Sequence, residues 1–257
     1  MRADLYLFKN GYSKSREKAR TLIESGCVKI NSVTVKKPSF DIDENAEISV
    51  EIEDICPFVS RGGLKLDKIL SDINLDVSGF IALDIGASTG GFTDCLLQRG
   101  AKLVYAVDSG HGQLDKRIES DKRVISIEGF NARNIGDGTV PKDIDIAVVD
   151  VSFISQSYIL PEAVKLLKPN GIYIGLIKPQ FEAGKENVSK GGIVKDKKAR
   201  YASVMRVIEC AKQNSFFPFA FIESPIKGGD GNTEYLCAFS RSGGTLDEKR
   251  IKNIVLG

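Results

Sequence analysis

Apolar residues along this 257-residue chain follow two periods, one near 3.6 and one of 2, and the stretches carrying each predict its elements. Leu5, Leu7 and Phe8 suit a short first helix. Ser15 can cap a second helix that runs to about Ser25, with Ala19, Leu22 and Ile23 on one stripe and Gly26 at its end. Val28-Lys29-Ile30 and Val33-Thr34-Val35 then alternate around Asn31-Ser32, a hairpin pattern. Pro57 and Ser60-Arg61-Gly62-Gly63 mark a domain boundary, which predicts one domain over 1–57 and another over 61–257. Past that boundary, apolar strands are expected over 81–85, 103–108, 124–127, 144–151 and 172–178. Helices are expected from the glycine-rich turn after Ile85 to about Arg99, over 158–168 ahead of a Pro169-Asn170-Gly171 turn, and over 196–214. Strands over 216–223 and 234–240 flank Gly228-Gly229-Asp230-Gly231-Asn232 as a terminal antiparallel hairpin. The fold class is α/β: a small α+β domain, then a doubly wound, mostly parallel sheet.

Composition narrows the class. With 42% hydrophobic and 27% charged residues, disordered, collagen-like and disulfide-scaffold classes are excluded. No run reaches the ~18 apolar residues of a membrane helix. Met1-Arg2-Ala3-Asp4 leads into no apolar signal segment. Five scattered cysteines without a C-x-x-C, and the single histidine His111, argue against a zinc site and against a Cys/His nucleophile, so no metal is expected. A soluble protein of the reducing cytoplasm, with no membrane partner, is the expectation. The net charge of +2 hides a split: residues 1–40 carry +6, residues 41–54 carry −7 and the remainder +3. A basic segment of that kind suits a phosphate-bearing partner, although a solvated helix face would look the same.

Two features carry chemistry. Leu83-Asp84-Ile85-Gly86-Ala87-Ser88-Thr89-Gly90-Gly91-Phe92 places a glycine loop between a strand and a helix N-terminus, where backbone N–H groups are free to meet a ligand. The spacing is not G-x-G-x-x-G, which opposes a dinucleotide; D-x-G-x-x-x-G-G is typical of S-adenosylmethionine sites. Asp84 is a candidate for the ligand's ammonium, directly or through water, and Asp108, ending the next strand, for its ribose hydroxyls. Four charged residues also stand at element ends: Lys65 before the sheet, Asp150 closing the fourth strand, Lys178 closing the fifth and Glu234 opening the last. The carboxyl ends of strands form the crevice of such a sheet, so Asp150 and Lys178 are expected side by side near the glycine loop.

The chain resembles known families at these residues. Ser13-Lys14-Ser15-Arg16-Glu17-Lys18-Ala19-Arg20 with Gly26-Cys27-Val28-Lys29-Ile30-Asn31 is similar to the S4-like RNA-binding domain. The Lys–Asp–Lys–Glu set resembles the tetrad of FtsJ-like ribose 2′-O-methyltransferases. Together with Asp150-Val151-Ser152-Phe153-Ile154-Ser155 and Lys178-Pro179-Gln180-Phe181-Glu182, the whole chain resembles the TlyA (hemolysin A) family. That resemblance implies methylation of cytidine 2′-hydroxyls in ribosomal RNA within ribosomal subunits. Lys65, Asp150, Lys178 and Glu234 are then the catalytic set; Glu234 rather than Glu223 fits the family's G-N-x-E-Y context. Lys178 acts as general base or as positioner of the hydroxyl, Asp150 orients it, and Lys65 and Glu234 hold the hydroxyl and adjacent phosphate. The cofactor set is Asp84, Gly86, Ala87, Ser88, Thr89, Gly90, Gly91, Phe92, Asp108, Asn131 and Asp150; the RNA set is Lys14, Arg16, Lys18, Arg20, Lys29 and Arg61. In the family that the chain resembles, a compact N-terminus and short tail are associated with large-subunit (23S) RNA, so that target is expected first, with 16S RNA as the wider possibility. The segment from Glu182 to Lys198, rich in glycine and lysine, is expected to be a lid. The competing classes are a cytolysin, a non-catalytic RNA-binding protein and an NAD-dependent oxidoreductase.

Overall fold

The computed structural model describes residues 1–13, 15–24, 28–43, 46–50, 56–228, 231–244 and 246–257, with the side chains of 18, 21 and 50 left aside. The chain divides into two compact units, Met1–Pro57 and Phe58–Gly257.

In the first unit, helices α1 (Ala3–Lys9) and α2 (Arg16–Glu24) precede a three-stranded antiparallel sheet. Its strands are β1 (Val28–Ile30), β2 (Val33–Thr34) and β3 (Ile48–Val50), in the order β2-β1-β3. Asn31 and Ser32 join β1 to β2 with φ of 49° and 64°, the left-handed pair that a two-residue hairpin of matching twist requires. Leu7, Ala19, Ile23, Val28, Ile30, Val35 and Ile42 are buried together. Leu5, Leu7 and Phe8 lie on the expected first helix, with Leu7 buried and Phe8 exposed. The expected stop at Gly26 lies outside the described residues, as do Lys14 and the side chain of Lys18.

The second unit is built on a seven-stranded sheet. Helix α3 (Gly62–Asp72) leads into β4 (Ile81–Ile85), α4 (Gly91–Gln98), β5 (Leu103–Val107), α5 (Lys116–Glu119), β6 (Val124–Ile127) and β7 (Ile144–Val149). Then come α6 (Leu160–Ala163), β8 (Leu167–Ile177), α7 (Pro179–Glu182), α8 (Lys197–Gln213), β9 (Phe217–Glu223), β10 (Tyr235–Ser240) and α9 (Glu248–Leu256). The order is β6-β5-β4-β7-β8-β10-β9; β10 runs antiparallel to β8 and β9, and the other pairings are parallel. Strand order reverses between β4 and β7, so the crevice lies at their carboxyl ends. Alternate residues of the central strands feed two cores. Leu83, Ile85, Ala147 and Val149 pack on one face, and Ala82, Ile146, Val148 and Leu176 on the other.

The helix expected over 158–168 is a correction. The structure has a single 3-10 turn at Gln156–Tyr158 and one α turn at Leu160–Ala163, with Pro161 in its first turn. Leu167 must reach Ile144 of β7, so β8 starts there. Pairing resumes at Ile172 opposite Ile146, and Pro169-Asn170-Gly171 fill the irregularity between.

Candidate active site

The glycine loop is shaped by two close approaches. A Cβ on Gly86 (φ +86°) would stand 2.4 Å from the main-chain oxygen of Asp150, and one on Gly91 2.2 Å from Ser60 Oγ. Glycine at both positions lets the loop after β4 lie against the Asp150 loop on one side and the start of α3 on the other. Between them opens a cavity of about 320 Å³ lined by Ser60, Arg61, Lys65, Gly86, Ala87, Ser88, Thr89, Gly91, Phe92, Asp150, Ser152 and Lys178. A second cavity of about 670 Å³ shares Gly86, Ser88, Asp150 and Ser152 and extends past Asp108, Asn131, Arg133 and Phe153.

Asp108 Oδ2 accepts from Ser88 N–H at 2.8 Å and Oδ1 from Gly110 N–H at 2.7 Å, so its carboxylate ties the two strand-end loops while facing the larger cavity. Asn131 Oδ1 caps the next turn by accepting from Arg133 N–H at 3.1 Å. Asp84, expected to meet the ligand's ammonium directly or through water, stands back from both cavities. It is fully buried, lines neither cavity, and accepts from Thr93 Oγ1 at 2.6 Å. Its Oδ1 has no protein hydrogen-bond partner, and burial raises its carboxyl from 3.8 to about 7. His111 is exposed, with Nδ1 4.0 Å from Glu128, and lines neither cavity.

The four charges, three at strand ends and Lys65 inside helix α3, form two ion pairs. Lys178 Nζ lies 2.6 Å from Asp150 Oδ1 and donates to Ser152 Oγ at 2.9 Å. Lys65 Nζ lies 2.6 Å from Glu234 Oε2, and Gln180 Nε2 donates to Glu234 Oε1 at 3.2 Å. Lys65, Asp150 and Lys178 line the smaller cavity; Glu234 sits behind Lys65, its side chain 2% exposed.

The basic set of the first unit is partly neutralised. Arg16 Nε and Arg2 Nε donate to the Asp4 carboxylate at 3.0 Å each, and Arg20 Nε to Glu24 at 2.9 Å. The Arg2 and Arg16 bonds hold the Asp4 carboxyl at about 2 against its burial. Lys29 is half-buried on β1, and Arg61 is exposed on the wall of the smaller cavity.

Several residues escaped the sequence reading. Ser152 and Gln180 hold tetrad members, and both flank motif residues in the chain. Phe153 is 92% exposed at φ +63°, with its ring 5.0 Å from Phe181. An aromatic residue directly after a strand-end Asp-x-Ser was the available signal. The expected lid is tethered: Val194 N–H donates to Asn232 Oδ1 at 3.1 Å, and Asn232 Nδ2 to Gly192 O at 2.8 Å. Val194, Ala183 and Ala199 form a small buried cluster. Among the described residues, no group of His, Cys, Asp and Glu could hold a metal ion, and no helix is long and apolar enough to cross a membrane.

A glycine loop at the switch point of a doubly wound sheet, with strand-end acids on either side, defines a class. Residues 58–241 match the FtsJ-like methyltransferase family model, and residues 1–48 match the S4 domain model. The chain is 44% identical to hemolysin A of Brachyspira hyodysenteriae, over 93% of this chain and 99% of that protein. It is 38% identical to the 16S/23S rRNA (cytidine-2′-O)-methyltransferase TlyA of Mycobacterium tuberculosis, over 91% of this chain and 87% of that one. A solved Streptococcus thermophilus structure under a hemolysin name superposes with a TM-score of 0.77 at 39% identity, covering 100% of this chain and 94% of its own. The chain belongs to the TlyA (hemolysin A) family of FtsJ-like methyltransferases.

Proposed function

We propose that this protein methylates the 2′-hydroxyl of a cytidine ribose in ribosomal RNA, large-subunit RNA first, with S-adenosylmethionine as donor. The observation that carries the reading is the convergence of the Lys178–Asp150 and Lys65–Glu234 pairs beside the glycine loop. The residues present fit the donor. Gly86 and Gly91 let the loop close on Asp150 and Ser60 and so shape the smaller cavity, Asp108 faces the larger cavity, and Asp84 keeps a buried carboxylate oxygen unpartnered. Gly86 to Phe92, Asp108 and Asn131 would hold it, with Asp84 acting from behind the loop. When bound it supplies an electrophilic methyl group, and the protein's task is to present a ribose oxygen to it in line.

Lys178 carries three positions on its terminal nitrogen. One donates to Ser152, and the nitrogen lies in an ion pair with Asp150 rather than a hydrogen bond to it, which leaves a position for the ribose 2′-oxygen. Asp150 fixes the direction of that position. Lys65, itself fixed by Glu234, stands on the same wall with Arg61, where both meet the backbone phosphate of the nucleotide. Phe153 offers a flat exposed ring to the base. Lys29 and the helix cations of the S4 unit add phosphate attraction, reduced by the partners that Arg16 and Arg20 already have.

The test is incubation with labelled S-adenosylmethionine and purified large or small ribosomal subunits, followed by mass-spectrometric mapping of the methylated nucleoside. A 2′-O-methylcytidine in large-subunit RNA supports the reading, and label in small-subunit RNA as well extends it. A methyl group on a base, or no transfer to either subunit, overturns it.

A further inference from the structure

Two neighbouring parallel strands, β7 and β8, deliver Asp150 and Lys178, and their following loops are joined twice. The outer join is the Asp150–Lys178 ion pair at the cavity wall. The inner join lies one turn further along each loop. Glu182, four residues beyond Lys178 at the end of α7, accepts from Ser155 Oγ at 2.5 Å and from Gln156 N–H at 2.8 Å. We infer that Glu182 is a positioning residue for methyl transfer, whose buried carboxylate clamps the Asp150 loop to the Lys178 turn and so sets how Asp150 meets Lys178. The inference rests on the reading of the site proposed above.

The loop from Asp150 to Ser155 needs such a clamp. It carries Phe153 at a left-handed φ of 63°, a conformation that costs a phenylalanine energy, and that side chain is almost fully exposed, meeting the Phe181 ring, while Val151 and Ile154 on either side pack on the core. The far end of the loop is fixed by polar contacts as well. Gln156 crosses back to β8, donating from Nε2 to Leu176 O at 2.6 Å, two residues before Lys178, and its Oε1 accepts from Tyr173 OH at 3.0 Å. On the other side, Arg206 of α8 donates to the main-chain oxygen of Glu182. Asp150, Ser155, Glu182 and Lys178 thus close a ring through two chain segments and two polar joins.

A carboxylate is an expensive choice for fastening a loop. Glu182 is 2% exposed, the hydrogen bonds to its carboxylate come from neutral donors, and burial pushes its carboxyl above the usual range. An apolar side chain of similar volume would fill the space without the desolvation cost. What it would not do is accept from Ser155 and Gln156 together and hold the loop in one register. Glu182 touches neither cavity wall, so its effect on chemistry passes through Asp150 and Lys178.

The test uses the full-length protein and single-turnover methyl transfer to large ribosomal subunits, with donor affinity, RNA affinity and melting temperature measured in parallel. Glu182→Gln keeps the shape and one good acceptor; Ser155→Ala removes one arm from the other side. Misplacing a reacting group slows chemistry by roughly 10–100-fold. The expected result is a transfer rate reduced about tenfold or more in Glu182→Gln and several-fold in Ser155→Ala, with both affinities within about twofold of wild type. The double variant should be no slower than Glu182→Gln, because both changes cut the same join. Rates within about twofold of wild type in folded variants, or effects that multiply in the double variant, would overturn the inference. If Glu182→Gln does not fold, Ser155→Ala decides alone by the same criterion. A wild-type protein inactive on both subunits would overturn the proposed function and this inference together. An active wild type with unaffected variants would overturn the inference alone.

Discussion

The Lys65–Glu234 pair should be costly to break on one side and cheap to remove on both. Its side chains are 10% and 2% exposed and meet at 2.6 Å, so neither charge has much water to fall back on. Removing one partner of such a pair costs about 3–5 kcal/mol, because the other charge stays buried alone. The two ends are unequal. Without Lys65, Glu234 keeps the hydrogen bond from Gln180; without Glu234, Lys65 loses its carboxylate partner and Gln180 its acceptor. Lys65→Met should therefore fall near 3 kcal/mol and Glu234→Met near 5, on the order of that range. For a domain of this size each kcal/mol moves the melting temperature by about 2–4 °C, so the expected losses are about 10 °C and about 15 °C. The Lys65→Met/Glu234→Met double variant removes both charges from an otherwise intact wall, and most of the lost stability should return. Methyl transfer should not return with it if Lys65 meets the substrate phosphate as proposed, because Arg61 alone then remains of the two cations assigned to it. Calorimetric melts of the four proteins, with single-turnover transfer on each, make the check. Single variants that melt within about 2 °C of wild type would refute the burial argument. A double variant no more stable than Glu234→Met would refute the pairing argument.

Lys178→Ala and Lys178→Arg should both lose methyl transfer by about 10²-fold or more while donor affinity measured by calorimetry is unchanged, and an arginine variant within tenfold of wild type would remove proton transfer from the role of Lys178. Phe153→Ala should weaken productive RNA engagement by about 1–3 kcal/mol of stacking, seen as a raised KM for subunits at constant donor affinity; an unchanged KM would leave the ring without a ligand. Asp84, whose folded-state carboxyl titrates near 7 rather than 3.8, holds its proton in the folded state across that window while the unfolded chain has released it. Its contribution to ligand-free stability is therefore full at low pH, declines as pH rises from about 4 to about 7, and is level above that. Asp84→Asn should flatten that part of the stability–pH curve, and melts from about pH 5 to 8 with an unchanged slope would count against the buried, unpaired carboxyl.

The order of elements in the second unit was legible because a central parallel strand buried on both faces reads as an apolar run: 81–85 agrees with the structure to the residue, and so does the half-exposed edge strand 124–127, which its β-branched residues mark. Helix α3 was missed although Leu66, Ile69 and Leu70 sit at helical spacing, since Arg61-Gly62-Gly63 reads as a boundary and hides a helix that starts inside it. Helix α9 was missed for a similar reason: Ile251 and Val255 are its buried pair in a charged stretch, and the Asp247 cap gives the start away only once the helix is known. The error over 158–168 has another origin. Local periodicity favoured a helix, and the demand of β7 for a partner at Leu167 overrode it.

The candidate site was legible in its parts and in half of its wiring: the strand-end rule put Asp150 and Lys178 side by side, and nothing in the sequence put Glu234 behind Lys65. Asp150 and Lys178 announced themselves as charges closing apolar strands and Glu234 as one opening the last, whereas Lys65 stands inside helix α3; each of these is a statement about one position. That Lys178 pairs with Asp150 while Lys65 pairs with Glu234 depends on sheet order, β8 lying between β7 and β10, and on α3 reaching β10 from outside the sheet; neither is a property of any single segment. The same holds for the cations of the first unit. Charge counting made Arg16 and Arg20 free phosphate ligands, whereas Asp4 one helix away and Glu24 one turn on take up their guanidinium groups. Glu182 is the extreme case. A glutamate at the end of Lys178-Pro179-Gln180-Phe181-Glu182 reads as a solvated helix end until the Ser155 loop closes over it, and then it is a buried acceptor with two donors. Sequence pattern reports which side chains stand at the crevice; the loops that return over the strand ends decide which of them hold substrate and which hold one another.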